Sequence, residues 1–209
     1  MRIDNIKKEI LIFIALICGY TLFVSCEKAT NEESTVLQKL YGDYILSDIH
    51  WPGLAVDLNN DGTGYWELLY EFQNKIGYYE PDYVAKVGEG IVFSEDKPWA
   101  KHTTAFNVTL PCPFFVNRDG IWICTSIRSI NVTLRATDSD VLSKTNCCFI
   151  YPEYDDSNDV FLAGIQDVSL VIDATDATSF QVGLHCSLPS EVTGKQTINE
   201  NYLYYTYSK

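Results

Sequence analysis

From residue 41 onward, apolar positions recur mostly at a period of two, the spacing of a strand that turns one face to a core. Phe106, Val108, Leu110, Cys112, Phe114 and Val116 form one such face, and Phe180, Val182, Leu184, Cys186 and Leu188 form a second. The stretch 121–136 is also strand-like, but its apolar set changes parity. Ile121, Ile123 and Ile127 fall on odd positions, Ile130, Val132 and Leu134 on even ones, which predicts a β-bulge. Further strands are predicted over 43–51, 84–94, 146–151, 160–172 and 202–207. Asx- and Gly-containing turns over 117–120, 138–140, 152–159 and 173–178 separate them. Asn117-Arg118-Asp119-Gly120 predicts a type I turn with a Gly bulge, placing Asn117 opposite Ile121 and Phe114 opposite Cys124. About eight strands and no internal repeat predict a single all-β domain, an antiparallel barrel or sandwich. One segment differs. Tyr65, Leu68, Leu69, Phe72 and Ile76 make a helical stripe, although Trp66, Leu68, Tyr70 and Phe72 alternate as a strand would. The Gly-containing turn before it and Gly77 after it favour one short helix.

The N-terminal segment carries Arg2, Lys7 and Lys8, then an apolar run over 10–24. Fifteen or so apolar residues fall short of the about 20 needed to span a bilayer, and residues 1–25 read as an export signal. It ends in Leu22-Phe23-Val24-Ser25-Cys26, which resembles a bacterial lipobox. That resemblance implies a Cys26 thiol carrying acyl chains of the palmitate type, and membrane attachment through lipid. Residues 26–39 are then a polar, lipidated tether and 40–209 the β domain. The acidic residues just after Cys26 resemble surface-export signals of Bacteroidota lipoproteins, and read equally as a solvated linker.

Gly42-Asp43-Tyr44-Ile45-Leu46 leads to Trp51, then to Val56-Asp57-Leu58-Asn59-Asn60-Asp61-Gly62, then to Glu67-Leu68-Leu69. This order resembles lipocalin-like lipoproteins of Bacteroidota, which carry a DLNxDG turn. The resemblance spans roughly residues 40–72. It implies a small barrel or sandwich on a lipid tether, at the outer membrane or cell surface, and brings no chemistry with it.

Composition narrows the partners. The 209 residues carry a formal net charge of −13, which repels phosphate backbones and excludes nucleic acid. An apolar content of 46% excludes wholesale disorder. Beyond Cys26, Cys112, Cys124, Cys147, Cys148 and Cys186 would meet an oxidising compartment. Cys112 falls out of register with Cys124, and Cys112 and Cys186 sit on apolar faces as buried free thiols. No zinc-ligand spacing is present.

Candidate chemistry centres on one loop. Asp57, Asn59 and Asp61 put oxygen at positions 1, 3 and 5, and Gly62 stands at position 6, as in the first half of an EF-hand calcium loop. Thr63 would add its carbonyl, and Glu67 or Glu71 would close the site, because Leu68 occupies position 12. The plainer reading is an Asx-rich turn that hydrogen-bonds its own backbone. Calcium is thus a candidate, and no other cofactor is expected. His50, His102 and His185 belong to no catalytic motif. Asp155, Asp156 and Asp159, or Asp138 and Asp140, could pair carboxylates for glycoside hydrolysis, but they sit where solvated turns are predicted. Four Trp and fourteen Tyr, including Tyr202, Tyr204, Tyr205 and Tyr207 on both faces of the last strand, offer stacking surfaces. The expected function is a non-catalytic ligand- or partner-binding lipoprotein whose partner is a glycan or another envelope protein. A structural envelope protein with a packed interior and a loop-carboxylate hydrolase are the alternatives.

Overall fold

The computed structural model describes residues 35–59, 61–94, 97–137, 147–150, 153–156, 166–173, 177–192 and 195–209. The domain is all-β. After a four-residue helix α1 (Val36–Lys39), β1 (Gly42–His50) starts the sheet. A loop holding the five-residue helix α2 (Leu69–Gln73) then leads to β2 (Val84–Ser94), β3 (Lys97–Arg118) and β4 (Ile121–Ala136). Two four-residue strands follow, β5 (Cys147–Ile150) and β6 (Glu153–Asp156), and then β7 (Asp167–Asp173), β8 (Ser179–Val192) and β9 (Lys195–Ser208). All pairings are antiparallel, in the order β5-β7-β8-β9-β1-β2-β3-β4-β6. The short β1 therefore joins two long meanders, β2–β4 and β7–β9.

The sheet curls into a half-barrel. Phe180 on β8 and Phe106 on β3 are four strands apart in the sheet, about 19 Å if it were flat at ~4.8 Å per strand. Their ring centroids lie 5.2 Å apart, edge to face. Tyr44 meets Phe180 edge-on at 5.0 Å, and Tyr207 stacks on it at 5.5 Å. The core thus forms between facing halves of one sheet. Two bulges help it bend. Ser47 is extra on β1, between Leu46↔Tyr207 and Asp48↔Thr206, and Thr125 is extra on β4, between Phe115↔Cys124 and Phe114↔Ser126.

The alternation on β3 holds only to Leu110. Phe106, Val108 and Leu110 are buried, but Cys112 and Val116 are half-buried and Phe114 is exposed beneath Arg128. The cause is local. Val108 is the last β3 residue paired with β2, and Pro111 and Pro113 follow, where a missing N–H is tolerated because one strand edge is open. The carbonyls of Thr109 and Pro111 on this stretch accept hydrogen bonds from Tyr207 Oη and Tyr205 Oη, each at 2.6 Å. The Tyr205 and Tyr207 side chains are fully buried, and burial holds both phenols well above their ordinary range, protonated and able to donate.

The structure departs from the sequence reading at the β3–β4 turn, at β6 and at residues 35–39. Arg118 pairs with Ile121, and Asp119 and Gly120 both have positive φ, 53° and 86°. The turn is therefore a two-residue type I′, whose twist matches the strands, and Phe115 rather than Phe114 faces Cys124. The parity switch has its bulge at Thr125. β6 lies within the predicted 152–159 turn. Residues 35–39 belong to the domain and not to the tether expected over 26–39. There Thr35 and Gln38 form a capping box, and Leu37 is buried beside Leu40. The short helix is α2, with Leu68 and Phe72 buried. Gly77 beyond it has φ 90°, and a Cβ there would lie 2.3 Å from the Ile127 carbonyl oxygen.

Tyr205→Phe or Tyr207→Phe leaves a carbonyl without its donor while keeping the ring. Each substitution should cost about 1–3 kcal/mol, read as a lower urea midpoint with an unchanged m-value.

Candidate functional site

The Asp57 loop joins β1 to α2 and is tied back at both ends. Val56 and Tyr65 exchange backbone hydrogen bonds at 2.9 Å, Trp51 N–H donates to the Trp66 carbonyl, and Leu68 N–H donates to the Ile49 carbonyl. Between these ties the loop folds as a ladder of Asx turns. Asp57 accepts from the N–H of Asp61 (3.2 Å, Oδ1) and of Gly62 (2.8 Å, Oδ2). Asn59 Oδ1 accepts from Asp61 N–H at 2.9 Å, and Asp61 Oδ1 accepts from Thr63 N–H at 2.8 Å. The oxygens at positions 1, 3 and 5 do converge, on backbone N–H groups.

Glu71 closes the ladder. Its carboxylate is fully buried. Oε2 accepts from the N–H of Leu58 and Asn59 at 3.0 and 2.9 Å, and Oε1 accepts from Asn59 Nδ2 at 3.0 Å. Burial raises its pKa and nearby Asp57 and Asp61 add to the rise, while the two backbone N–H groups oppose it. Glu67, which was expected to complete a calcium site, is turned the other way. Its Oε1 lies 2.8 Å from His50 Nδ1. Thr63 contributes its N–H to the ladder. Among the described residues, no group of three or more His, Cys, Asp or Glu side chains could hold a metal ion. Glu71 stands outside the twelve-residue loop template. Its signal was its place on α2 between Leu68 and Phe72, the stripe that faces the core.

Two recesses open on the described residues, one over the sheet and one beside the Asp57 loop. A groove of about 830 Å³ runs over the outer face of β1–β4. Ile45 and Val84 pair across its floor. On its β3–β4 wall, Thr133 donates to Asn107 and Thr109 donates to Asn131, both at 2.8 Å. A cleft of about 370 Å³ lies between the β3–β4 tip, the β8–β9 tip and the Asp57 loop, lined by Trp122 and Gln196 among others. The Gln196 amide clasps the Trp122 backbone, accepting its N–H at 2.7 Å and donating to its carbonyl at 2.9 Å. Sequence spacing could not reveal this contact, because 74 positions separate the partners.

The other candidates divide. Cys112, Cys124 and Cys186 are free thiols. Burial pushes Cys112 and Cys186 up to about 12 and raises Cys124, so none is poised as a thiolate. His185 stacks on Tyr202 and faces Glu200 at 3.5 Å. Asp138, Asp140 and Asp159 lie outside the described residues, as do Cys26 and the side chains of Asp155, Asp156, His102, Cys147 and Cys148. Tyr205 and Tyr207 face the core, whereas half-buried Tyr202 and Tyr204 stack on the other face. Among the described residues no helix is long and apolar enough to cross a membrane.

Two outcomes are expected. Glu71→Ala orphans two backbone N–H groups and should cost about 2–4 kcal/mol in urea unfolding. Because the ladder already engages these oxygens, millimolar calcium against chelator should move the melting midpoint by less than about 1 °C, where tenfold saturation of a real site would give about 3–6 °C. A pH effect follows from Asp48. Burial raises its pKa above 3.8 and the adjacent Glu67 carboxylate adds to the rise. A carboxyl that binds its proton more tightly when folded stabilises fully below its unfolded pKa, and this contribution is lost as pH rises through the folded value. Asp48→Asn should therefore melt higher than wild type at pH 7, with the gap closing towards about pH 4.

A scan against protein-family models finds no match, and searches of curated proteins and of solved structures find none either.

Proposed function

We propose that this chain is a lipid-anchored, non-catalytic binding module of the outer membrane, attached through acyl chains on Cys26, with its far end offered to a ligand or partner. The lipobox-like segment and the likeness of residues 40–72 to lipocalin-like lipoproteins of Bacteroidota support the anchor. One observation carries the rest. Helix α1, the start of β1 and the end of β9 lie together at one end of the sheet, where Lys209 Nζ donates to the Lys39 carbonyl. Exposed Leu54, Tyr65, Trp66, Tyr70, Ile121, Trp122 and Ile198 belong to the loops and hairpin tips of the other end. The fourteen residues of β8, at ~3.3 Å each, put some 45 Å between the two ends. Tyr41, Ile45 and Val84 are exposed nearer the α1 end, but among the described residues both exposed indoles, Trp66 and Trp122, belong to the loop and hairpin-tip set, and that set is the contact surface we infer. An anchor at the α1 end leaves that surface pointing away from the bilayer.

Cys26→Ala tests the anchor. The variant should move from the membrane to the soluble fraction, and equal retention on membranes would show the lipid reading to be wrong.

A further inference from the structure

We propose that the cleft between the two hairpin tips and the Asp57 loop is a carbohydrate subsite that takes one neutral sugar ring of a glycan chain. The inference rests on the binding-module reading and names the chemistry of its ligand.

The cleft joins an aromatic wall to fixed polar groups. Trp122 is 37% exposed and Ile121 is 56% exposed at the β3–β4 tip, a place where folding gives no reason for a large apolar ring. The tip is nonetheless held firmly, because both backbone groups of Trp122 are bonded to Gln196 on β9. The backbone that carries the ring is ordered before ligand arrives, which lowers the entropy cost of binding. Its indole N–H has no acceptor among the described residues. Pro189 and Asp57 also line the cleft, and the Asp57 carboxylate accepts from the N–H groups of Asp61 and Gly62. Beside Gly62, nothing lies within 4 Å of where a Cβ would sit, so the loop backbone stays open to a ligand.

This combination matches a pyranose. The axial hydrogens of the ring make a flat apolar face for an indole, and the hydroxyls at its edge donate to a carboxylate and exchange hydrogen bonds with an amide. A volume of about 370 Å³ is at the small end of the roughly 300–1,000 Å³ typical of ligand sites, suited to one ring rather than a folded peptide. The charge is wrong for other polymers. Asp57, Asp61 and a net charge of −13 repel polyanions and anionic lipid. Trp66, on the same loop as Asp57, is 55% exposed, and its indole N–H donates to the Gly53 carbonyl at 3.0 Å.

The test is titration of tryptophan emission in the full-length protein with gluco-, xylo-, manno- and malto-hexasaccharides, together with sulfated dextran as the anionic probe. At least one neutral hexasaccharide should shift the emission and saturate. Trp122→Ala should weaken that binding about tenfold or more with the circular dichroism melt unchanged, and Trp122→Phe should recover most of it. Unchanged affinity in Trp122→Ala would place the glycan elsewhere, removing the subsite while leaving the module reading intact. No neutral hexasaccharide binding below about 10 mM, or preference for the sulfated dextran, would overturn the inference. Fractionation of Cys26→Ala judges the anchor independently of either result.

Discussion

Two phenolic hydroxyls decide the shape of this domain. Beyond Val108 the β2 ladder has ended, and the outward carbonyls of Thr109 and Pro111 would be buried without donors. An unpaired buried carbonyl costs about as much as a whole hydrogen bond contributes. Tyr205 and Tyr207 on β9 supply the donors, and they reach only because the sheet curls until β9 faces β3. The same two side chains fill the core, and Tyr207 stacks on Phe180, which in turn contacts Phe106. Curvature, core filling and polar satisfaction are therefore one requirement met by one pair of residues. A Leu at either position would fill part of the volume and leave the carbonyl orphaned.

The cleft between the hairpin tips depends on that curl. Once β9 lies over β3, the tips of the β3–β4 and β8–β9 hairpins come together, and Gln196 can bond the Trp122 backbone as a strand neighbour would. Beneath them the Asp57 loop needs its own support, because a connection of this kind carries many backbone N–H groups that no ladder satisfies. Asp57, Asn59 and Asp61 take several of them, and the buried Glu71 carboxylate takes two more from the helix side. Its raised pKa records the opposition between burial and those N–H donors. The described residues of the loop are tied down by bonds internal to the chain.

The strands were legible in the sequence wherever burial on one face persists. The faces 106–110 and 180–188 alternate as the chemistry requires, and the β-rich architecture follows from them. The alternation over 112–116 misled because Pro111 and Pro113 stand on a stretch with an open edge, where the strand twists and its former core positions reach solvent. The β3–β4 turn was misjudged by one residue, because Asp119 tolerates a positive φ that the Gly-bulge turn assigns to Gly alone. In the acidic loop the oxygens at positions 1, 3 and 5 were legible, but their partners were not. Spacing cannot tell a cation from a backbone N–H, since both reward the same convergence of oxygens. Glu67 against Glu71 turned on helix phase, and the clasp of Trp122 by Gln196 turned on the curl itself.

That clasp gives the strongest reason to look for function at the hairpin tips. A solvent-facing Trp on a free hairpin would be a liability, since exposed indole invites association without specificity. Here the tip is tied to a second hairpin through a side-chain amide, at a point where neither strand needs the bond to complete its own ladder. Arg118 and Ile121 already close the β3–β4 pairing, and Val192 and Lys195 close that of β8–β9. The extra bonds hold the Trp122 backbone to β9 beside the cleft. Folding alone does not require a large exposed ring at this tip, which is why the proposed subsite is placed there.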